Sequence, residues 1–429
     1  MILTRLLVRF TIIKIMGIYN KRVNCAICGN EKLETILDYG EVPLAGFFPK
    51  QNELDSIKKY NLGLQYCGRC HLMQTNSTIN ADVLFKDYRY LSSVGLQPHF
   101  DEYADFLIDR FSLNGDSKII EIGSNDGVLL KPMLDRGLDI VGFEPSDNIS
   151  KIAIDRGCNV INDYFSIDTV KKYCEKSSYD LVTSSNTFAH IDDIHSIVKG
   201  INYILKDGGH YIFEVHYGKN IIEESQYDNV YHEHIYYYTV NSIKNLFELY
   251  DMTITDVMEL PIHAGSIRVT VKNVKEVYNG EVTGMLNDED NAGVTSQSYY
   301  ENFKGNVMKH KKEIYDTLLQ LKSEGHKIGA YGASGRANIL CNFCGIDEKM
   351  LDYIIDESPE RCGRFINNIP IYGPDKIDPS SDYMVILAWN YSNMIMTKLV
   401  DKYDFKYIIP FPTIRVISNI EELNCDNTL

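Results

Sequence analysis

The 429-residue sequence lacks any apolar run long enough to cross a lipid bilayer, and it lacks an excess of basic residues. A membrane-spanning helix needs about 20 consecutive apolar residues. Proteins that bind nucleic acid normally carry a basic surface, whereas this chain has 59 acidic and 43 basic residues and a formal net charge of -16. We therefore expect neither a membrane nor a nucleic acid as a partner. A few well-placed basic side chains would still suffice to bind an anionic small molecule.

The sequence also lacks the cysteine pattern of a small secreted protein. Its ten cysteines are scattered through a long chain, which is typical of cytosolic proteins whose thiols are reduced or bind a metal. The apolar opening stretch is interrupted by Arg5, Arg9 and Lys14 and has no clear cleavage site, which argues against a secretory signal. We expect a cytoplasmic protein in which residues 1–20 form a short extension.

Three regions of different pattern predict three domains, at residues 1–80, 81–280 and 281–429. The first is rich in cysteine and loops, whereas the second alternates short apolar runs with helical stretches, as in a parallel α/β sheet. A polar stretch at 279–297 predicts a linker before a long helical pattern and a second α/β unit. The best strand candidates are Lys118–Ile122, Ile140–Phe143, Leu181–Ser184, Tyr211–Val215, Lys327–Tyr331, Tyr353–Asp356 and Met384–Ala388.

Two C-x-x-C motifs in the first region predict a metal site. They are Cys25-Ala-Ile-Cys28 and Cys67-Gly-Arg-Cys70, and two such pairs can complete the tetrahedral shell of one Zn²⁺. Four cysteine ligands leave no position for water, so we expect this zinc to be structural. Unpaired or redox-active cysteines are the alternative.

A glycine-rich turn follows the first strand candidate of the middle region. Its sequence is Glu121-Ile-Gly123-Ser124-Asn125-Asp126-Gly127. The turn matches neither the dinucleotide motif G-x-G-x-x-G nor a phosphate-binding P-loop. Glu144 ends the next strand, a position from which a carboxylate can accept the ribose hydroxyls of an adenosine group. Together these features predict binding of S-adenosylmethionine (SAM), with Asp163 a weaker candidate near the adenine.

Two polar segments are candidates for catalysis. Asn186–His190 follows the next strand, and Tyr227–His234 contains two tyrosines, two histidines and two acids. Methyl transfer to carbon requires a base that removes a proton beside a carbonyl, and the ordinary pKa of histidine suits that role. Tyrosine hydroxyls or a second histidine can hydrogen-bond the developing enolate oxygen. A polar surface cluster is the alternative, and His232 is the residue least suited to catalysis.

The sequence resembles the three-domain, zinc-containing sugar C-methyltransferases, which methylate nucleotide-linked 4-keto deoxysugars. The resemblance extends over nearly the whole chain after about Asn24. The segments that carry it include Cys25–Gly29, Cys67–Cys70, Asp87–Ser93, Glu121–Gly127, Asn186–His190, Tyr231–His234, His263–Arg268, Gly329–Gly335 and Ile386–Asn390. It implies a Rossmann-like SAM methyltransferase domain, flanked by an N-terminal zinc-binding domain and a C-terminal Rossmann-like α/β domain that holds the nucleotide sugar.

The resemblance also implies roles for individual residues, with His234 as the base. The implied catalytic residues are His234, Glu233, Tyr231, His190 and Tyr90, with Tyr88 as the rival of Tyr90. The candidate cofactor-binding residues are Glu121, Gly123, Asn125, Asp126, Gly127, Glu144 and Asn186. The candidate substrate-binding residues are His263, Ser266, Arg268 and Arg336. The chain departs from the family in having Ala264-Gly265 where Gly-Gly is common, and Arg336 near the place where a lysine is frequent.

We therefore expect a SAM-dependent C-methyltransferase that acts beside the keto group, at C3, of a nucleotide-linked 4-keto deoxysugar through an enolate. The alternatives are O- or N-methyl transfer to a related nucleotide sugar, and an inactive zinc-bearing protein that only binds a nucleotide sugar. The expected partner is the substrate, and the expected assembly is a monomer or a weak homo-oligomer.

Overall fold

The computed structural model describes residues 17–86 and 91–424, and these form two compact units. The first unit consists of the described parts of Met1–Leu33, Cys67–Tyr217 and Ile235–Thr295. The second consists of Glu34–Tyr66, Gly218–His234 and the described part of Ser296–Leu429. Each unit is therefore assembled from three separate stretches of the chain.

The described residues form strands and helices in the following chain order. The strands are β1 (Tyr19–Lys21), β2 (Glu34–Pro43), β3 (Lys59–Tyr66), β4 (Met73–Thr75), β5 (Ser77–Ile79), β6 (Lys118–Ile122), β7 (Asp139–Phe143), β8 (Asn159–Ile161), β9 (Tyr179–Ser185), β10 (Leu205–His216), β11 (Tyr236–Tyr237), β12 (Thr253–Leu260), β13 (Ser266–Lys272), β14 (Ile328–Tyr331), β15 (Tyr353–Ile355), β16 (Phe365–Ile366), β17 (Ile369–Tyr372), β18 (Tyr383–Ile386), β19 (Lys406–Ile409) and β20 (Arg415–Ile417). The α-helices are α1 (Ala81–Phe85), α2 (Ser93–Phe111), α3 (Leu130–Asp135), α4 (Asp147–Asp155), α5 (Ile167–Tyr173), α6 (Ile194–Ile204), α7 (Gly218–Glu223), α8 (Val240–Phe247), α9 (Gly280–Ala292), α10 (Gln297–Ser323), α11 (Gly335–Cys344), α12 (Ser392–Leu399) and α13 (Ile420–Asn424).

A seven-stranded sheet forms the core of the first unit, in the order β12-β13-β10-β9-β6-β7-β8. Strands β8, β7, β6, β9 and β10 are parallel, and β13 runs antiparallel to both β10 and β12. The central strands are short apolar runs, as expected for a parallel sheet with both faces covered. In β6 only Lys118 is exposed.

Side-chain caps fix where helices of the first unit begin. Asp193 accepts the N–H of Ser196 at the start of α6, and Thr239 accepts the N–H of Ser242 at the start of α8. Such a cap satisfies an amide group that the helix itself leaves unpaired, and each contributes roughly 1 kcal/mol of stability. The polar residues between the apolar runs therefore define the helix boundaries.

A helix replaces most of the predicted linker at 279–297. Helix α9 carries Glu289, whose fully buried carboxylate accepts the N–H groups of Val240 and Asn241 at 2.6 and 2.9 Å. The hydroxyl of Tyr217 donates to the same carboxylate at 2.9 Å. The linker prediction is wrong here because these long-range bonds give a polar stretch a place in the core of the first unit.

A second seven-stranded sheet forms the core of the second unit, in the order β16-β17-β15-β14-β18-β19-β20. Strands β17, β15, β14, β18 and β19 are parallel, whereas β16 and β20 pair antiparallel at the two edges. The next strand along the chain pairs with one side of the central strand, and a later strand pairs with its other side. This holds for β14, flanked by β15 and β18, as it does for β6, flanked by β7 and β9. In open sheets of this kind, ligands bind at the carboxyl ends of the strands where the strand order reverses, here between β6 and β9 and between β14 and β18.

All seven strand candidates form strands, and the ends of six of them differ from the predicted ones. Lys118–Ile122 is unchanged, whereas β10 begins at Leu205, before the predicted Tyr211. Within residues 17–86 and 91–424, no helix combines the length and the apolar character that crossing a membrane requires.

Candidate active site

The turn after β6 lies at the carboxyl end of the first unit's sheet, where the strand order reverses. The N–H of Gly123 donates to the carbonyl of Phe143 at 2.8 Å, and its φ is +71°. A Cβ at Gly123 would lie 2.4 Å from Oγ1 of Thr187, so a larger residue would be both crowded and strained. Glycine thus keeps this turn close to the segment that follows β9.

Glu144, directly after β7, is tied to the same turn. Its carboxylate accepts the N–H groups of Asn125 and Ser146, both at 2.9 Å. Burial raises the pKa of Glu144, and the two N–H donors oppose that rise. Because an ionised carboxylate has about four acceptor positions, Glu144 can accept ribose hydroxyls while it keeps both of these bonds.

Several buried side-chain oxygens at this edge have no protein partner among residues 17–86 and 91–424, and two of them can act only as acceptors when Glu121 is ionised. These two are Oε2 of Glu121 and Oδ1 of Asn186, the latter just after β9. Burial and the nearby Glu144 raise the pKa of Glu121 well above its ordinary value. A buried polar atom without a donor is costly, so the pair fits a ligand that brings hydrogen-bond donors and positive charge. SAM has both.

Asp126 and Asn125 of the turn bind protein groups. Asp126 accepts the hydroxyl of Ser93, and its carboxylate lies 3.2 Å from the guanidinium of Arg156. Asn125 Oδ1 accepts the N–H of Ser92 at 3.0 Å. These bonds attach the start of α2 to the turn, so the side chain of Asp126 stabilises the turn itself.

The segment Tyr227–His234 belongs to the second unit. In it the hydroxyl of Tyr231 lies 2.7 Å from Nε2 of His234, whose residue is 7% exposed. The carboxylate of Glu233 accepts the N–H of Gly46 at 3.4 Å, and burial raises its pKa. The structure thus brings together three of the predicted catalytic residues. Burial also lowers the pKa of His232 to about 4, which keeps that ring neutral at physiological pH.

The other predicted catalytic residues lie elsewhere in the chain. His190 ends the 3₁₀ helix Phe188–His190 of the first unit, after β9. Its ring packs edge-on against that of Phe85, with centroids 5.8 Å apart. Tyr90 and its rival Tyr88 lie outside the described residues.

Both candidate phosphate-binding arginines contact protein carboxylates. Arg268, on β13, donates to Glu214 at 2.5 and 2.9 Å. Arg336, on α11, contacts Asp228 through two bonds of 3.0 Å each. Each guanidinium group thus uses two of its five N–H donors, and a carboxylate offsets its charge. A diphosphate could use only the remaining donors of either arginine while the carboxylate pair is kept.

The loop before β13 carries the other two substrate candidates. The ring of His263 lies 5.5 Å from that of His216, and Ser266 is buried and donates to the carbonyl of Ile262 at 3.2 Å. His263 and Ala264 have φ values of +54° and +65°. The loop therefore holds a conformation that non-glycine residues rarely adopt.

Four cysteine sulfurs of the first unit converge. The sulfurs of Cys25, Cys28, Cys67 and Cys70 all lie within 4.8 Å of one another. A tetrahedral Zn²⁺ with Zn–S bonds of about 2.3 Å has its sulfurs roughly 3.8 Å apart. Asn30 donates to the sulfur of Cys67 at 3.5 Å, a contact that favours the thiolate. The donor set fits a structural zinc with no position left for water.

Three family models match successive parts of the chain. Residues 25–85 match a zinc binding domain, 97–257 a methyltransferase domain and 261–412 a C-methyltransferase C-terminal domain. C-methyltransferase NovU from Streptomyces niveus is 28% identical over 405 residues, which cover 92% of this chain and 96% of that protein. The chain is a SAM-dependent methyltransferase, and its three domains match domains of C-methyltransferases in the same order.

Other similar proteins cover smaller parts of this methyltransferase. Ubiquinone biosynthesis O-methyltransferase from Acinetobacter baylyi is 27% identical over 26% of the chain and 46% of its own length. A SAM-dependent methyltransferase structure from Clostridium acetobutylicum shares 14% identity and covers 41% of this chain and 92% of its own, with a TM-score of 0.34. The match to NovU, by contrast, spans nearly the whole of both proteins.

The sequence alone did not single out two buried acids, Glu214 and Asp228. Glu214 lies in β10, where burial raises its pKa, but His99 at 2.9 Å and the charge of Arg268 hold the pKa below its ordinary value. The sequence feature that could have revealed Glu214 is that it is a single acid inside the otherwise apolar run Tyr211–Val215. Asp228 lies in the polar segment Tyr227–His234. Its partner Arg336 is 108 residues away, so the sequence could not predict their contact.

Proposed function

We propose that this methyltransferase transfers the methyl group of SAM to a carbon beside the keto group, at C3, of a nucleotide-linked 4-keto deoxysugar. The observation that carries the proposal is the contact between Tyr231 and His234 in a largely buried segment. Carbon becomes a nucleophile only after it loses a proton, and this pair offers a base beside a hydroxyl donor. Methyl transfer to a sugar oxygen requires no such proton removal from carbon.

In the proposed reaction, His234 accepts the proton from the carbon beside the ketone. Tyr231 donates a hydrogen bond to the oxygen on which negative charge develops. Glu233, whose pKa is raised, supports the exchange of protons. When bound, SAM supplies an electrophilic methyl group. Glu144 and the turn after β6 would hold its adenosine part.

The second unit contains a turn that supports a nucleotide-linked substrate. Gly332, after β14, donates its N–H to the carbonyl of Ile355 at 2.7 Å. A Cβ at Gly332 would lie 2.4 Å from Cβ of Ala388. The carboxylate of Asp356 accepts the N–H groups of Ala333 and Ser358, each at 2.8 Å.

Each of these contacts has a counterpart in the turn after β6. Gly332 corresponds to Gly123, and Asp356 corresponds to Glu144 as the acid that follows the second strand. An acid in this place binds ribose hydroxyls in other sheets of this order. The match supports the sheet of the second unit, within Ser296–Leu429, as the part of the chain that holds the nucleotide.

The test incubates the purified protein with SAM and a panel of dTDP-, UDP- and GDP-linked 4-keto deoxysugars, and follows product masses. A product in which methyl replaces hydrogen on carbon is expected. In deuterated water without SAM, C-methylation predicts deuterium uptake at the carbon beside the ketone, whereas O- or N-methylation predicts none. No turnover together with no SAM binding by calorimetry would instead indicate a zinc-bearing binding protein.

A further inference from the structure

Asp228 is fully buried and accepts three hydrogen bonds in the second unit. Arg336 donates from Nε and Nη2, each at 3.0 Å, and Trp389 donates from its indole Nε1 at 2.9 Å. The guanidinium of Arg336 also lies over the ring of Trp389, 4.6 Å from its centroid. We call Asp228, Arg336 and Trp389 the Asp228 clamp.

Two members of the clamp come from the edge of the sheet at which its strand order reverses. Arg336 is the second residue of α11, directly after the turn that follows β14, and Trp389 follows β18. Charged groups of a ligand commonly bind at this edge in such sheets. Here Arg336 and Trp389 both donate to the carboxylate of Asp228, a group of the protein itself. Because Asp228 lies in the segment Tyr227–His234, both residues hold this segment by hydrogen bonds.

The same segment has neutral contacts on either side of the clamp. The carbonyl of Tyr227 accepts the hydroxyl of Tyr39 at 2.7 Å, and the hydroxyl of Tyr227 lies 2.9 Å from Nδ1 of His310. Gly46 binds Glu233 near the other end. Only the clamp places a buried ion pair on this segment among the described residues. Such a pair is sensitive to the loss of one partner, since the remaining charge is left buried.

We propose that Asp228 is a positioning residue, which together with Arg336 and Trp389 fixes the backbone that carries Tyr231 and His234. The inference rests on the proposed function, because it takes His234 as the base. It assigns Arg336 to the carboxylate of Asp228 and not to the diphosphate of the substrate. Since small displacements of a catalytic group can cost roughly 100-fold in rate, loosening this anchor should slow turnover without weakening ligand binding.

The experiment compares Asp228→Asn, Arg336→Gln and the double variant with the wild-type protein. Hydrogen–deuterium exchange of residues 226–234 reports the mobility of the segment without any substrate. Calorimetry with SAM, dTDP and UDP reports binding, and kcat and KM are measured on the panel sugar that the wild-type protein methylates. Asp375→Asn, an exposed aspartate of the same unit, is the control for the substitution itself.

Each single variant should raise exchange in residues 226–234 and lower kcat by roughly 10- to 100-fold, with KM and all three affinities unchanged. The double variant should be no worse than the more damaged single variant, because both substitutions remove the same contact. Wild-type exchange and kcat in Asp228→Asn would overturn the proposal. A tenfold loss of dTDP or UDP affinity in Arg336→Gln alone would also overturn it, since Arg336 would then bind the nucleotide.

Trp389→Phe keeps the proposal testable if Asp228→Asn fails to fold, because it removes one neutral donor and keeps the aromatic ring. It should increase exchange in residues 226–234, and unchanged exchange would contradict the clamp. If the wild-type protein methylates no panel sugar, the proposed substrate is wrong. The exchange measurements then still decide whether the clamp holds the segment.

Discussion

The hydroxyl of Tyr231 lies 2.7 Å from Nε2 of His234, and their rings are tilted by 33° with centroids 4.0 Å apart. A neutral imidazole has one donor and one acceptor nitrogen. The tyrosine therefore influences which nitrogen of His234 is free to take a proton. The two residues act as a pair in the proposed reaction, and their substitutions should have unequal effects.

His234→Gln should lower methyl transfer by roughly 10²- to 10⁴-fold, the usual contribution of a general base. Tyr231→Phe should cost less, about tenfold, because the base remains and only a hydroxyl is lost. Both variants should bind SAM normally, since Glu121 and Glu144 are unchanged. Product formation by mass spectrometry and SAM affinity by calorimetry measure the two effects. The matched control is His326→Gln, at a half-exposed histidine of the same unit. Near-normal turnover in His234→Gln would show that His234 is not the base.

Glu121 should make the cofactor-free protein less stable as pH rises. Burial, with Glu144 and Asp126 nearby, raises its pKa above the ordinary 4.5, so the folded state keeps a proton that the unfolded chain releases. Between these two pKa values the free energy of unfolding falls with rising pH, by up to about 1.4 kcal/mol per pH unit. Glu121→Gln has no such proton to lose. Its stability relative to the wild type should therefore increase with pH across this window.

Thermal unfolding of the Glu121→Gln variant and the wild type, from about pH 5 to about pH 8, measures this difference. Glu102→Gln, at an exposed position on α2, controls for the change of side chain. A stability difference that does not vary with pH would contradict the raised pKa. The same variant should bind SAM more weakly, because glutamine cannot ionise when the cationic cofactor binds.

Removal of zinc should destabilise the methyltransferase sheet as well as the cysteine motifs. Cys25, Cys67 and Cys70 belong to the same apolar cluster as Val182 and Phe188 of the first unit. Structural zinc contributes roughly 10 kcal/mol or more to the folding of small zinc domains. Cys28→Ser should lose metal, measured by elemental analysis, and unfold at a lower temperature. Cys174→Ser, at a half-buried cysteine that is not one of the four converging residues, should keep its metal. Full zinc content in Cys28→Ser would exclude Cys28 as a ligand.

Features set by short stretches of sequence could be predicted well. The cysteine pairs, the buried strands and the glycine turn after β6 depend on neighbouring residues and on the regular order of a parallel sheet. The partners of Arg268 and Arg336 could not be predicted, since they lie 54 and 108 residues away. Sequence alone cannot tell an arginine that faces a ligand from one that neutralises a buried acid.

Local sequence patterns also could not predict how the chain is divided into compact units. Residues 34–66 lie between the two cysteine motifs, yet they belong to the second unit. There the N–H of Gly46 and the hydroxyl of Tyr39 bind the segment Tyr227–His234. Hydrogen bonds between residues nearly 190 positions apart carry no sequence signal of their own, because either partner could bind water instead.

Substitutions at two glycines should distinguish the turn proposed to bind SAM from the turn proposed to bind the nucleotide. A Cβ at Gly123 would lie 2.4 Å from Thr187, and one at Gly332 would lie 2.4 Å from Ala388. Both have positive φ, so alanine would shift each turn. Gly123→Ala should weaken SAM binding at least tenfold and leave dTDP or UDP binding unchanged, and Gly332→Ala should do the reverse. Calorimetry with the three ligands measures both.

The control for these substitutions is Gly305→Ala, in the interior of α10. Nothing lies within 4 Å of a Cβ at that position, so the Gly305→Ala variant should bind all three ligands normally. It should also stabilise the protein by roughly 0.5–1 kcal/mol, because glycine is unfavourable inside a helix. Unchanged nucleotide binding in Gly332→Ala would show that the turn after β14 does not hold the nucleotide, despite its likeness to the turn after β6.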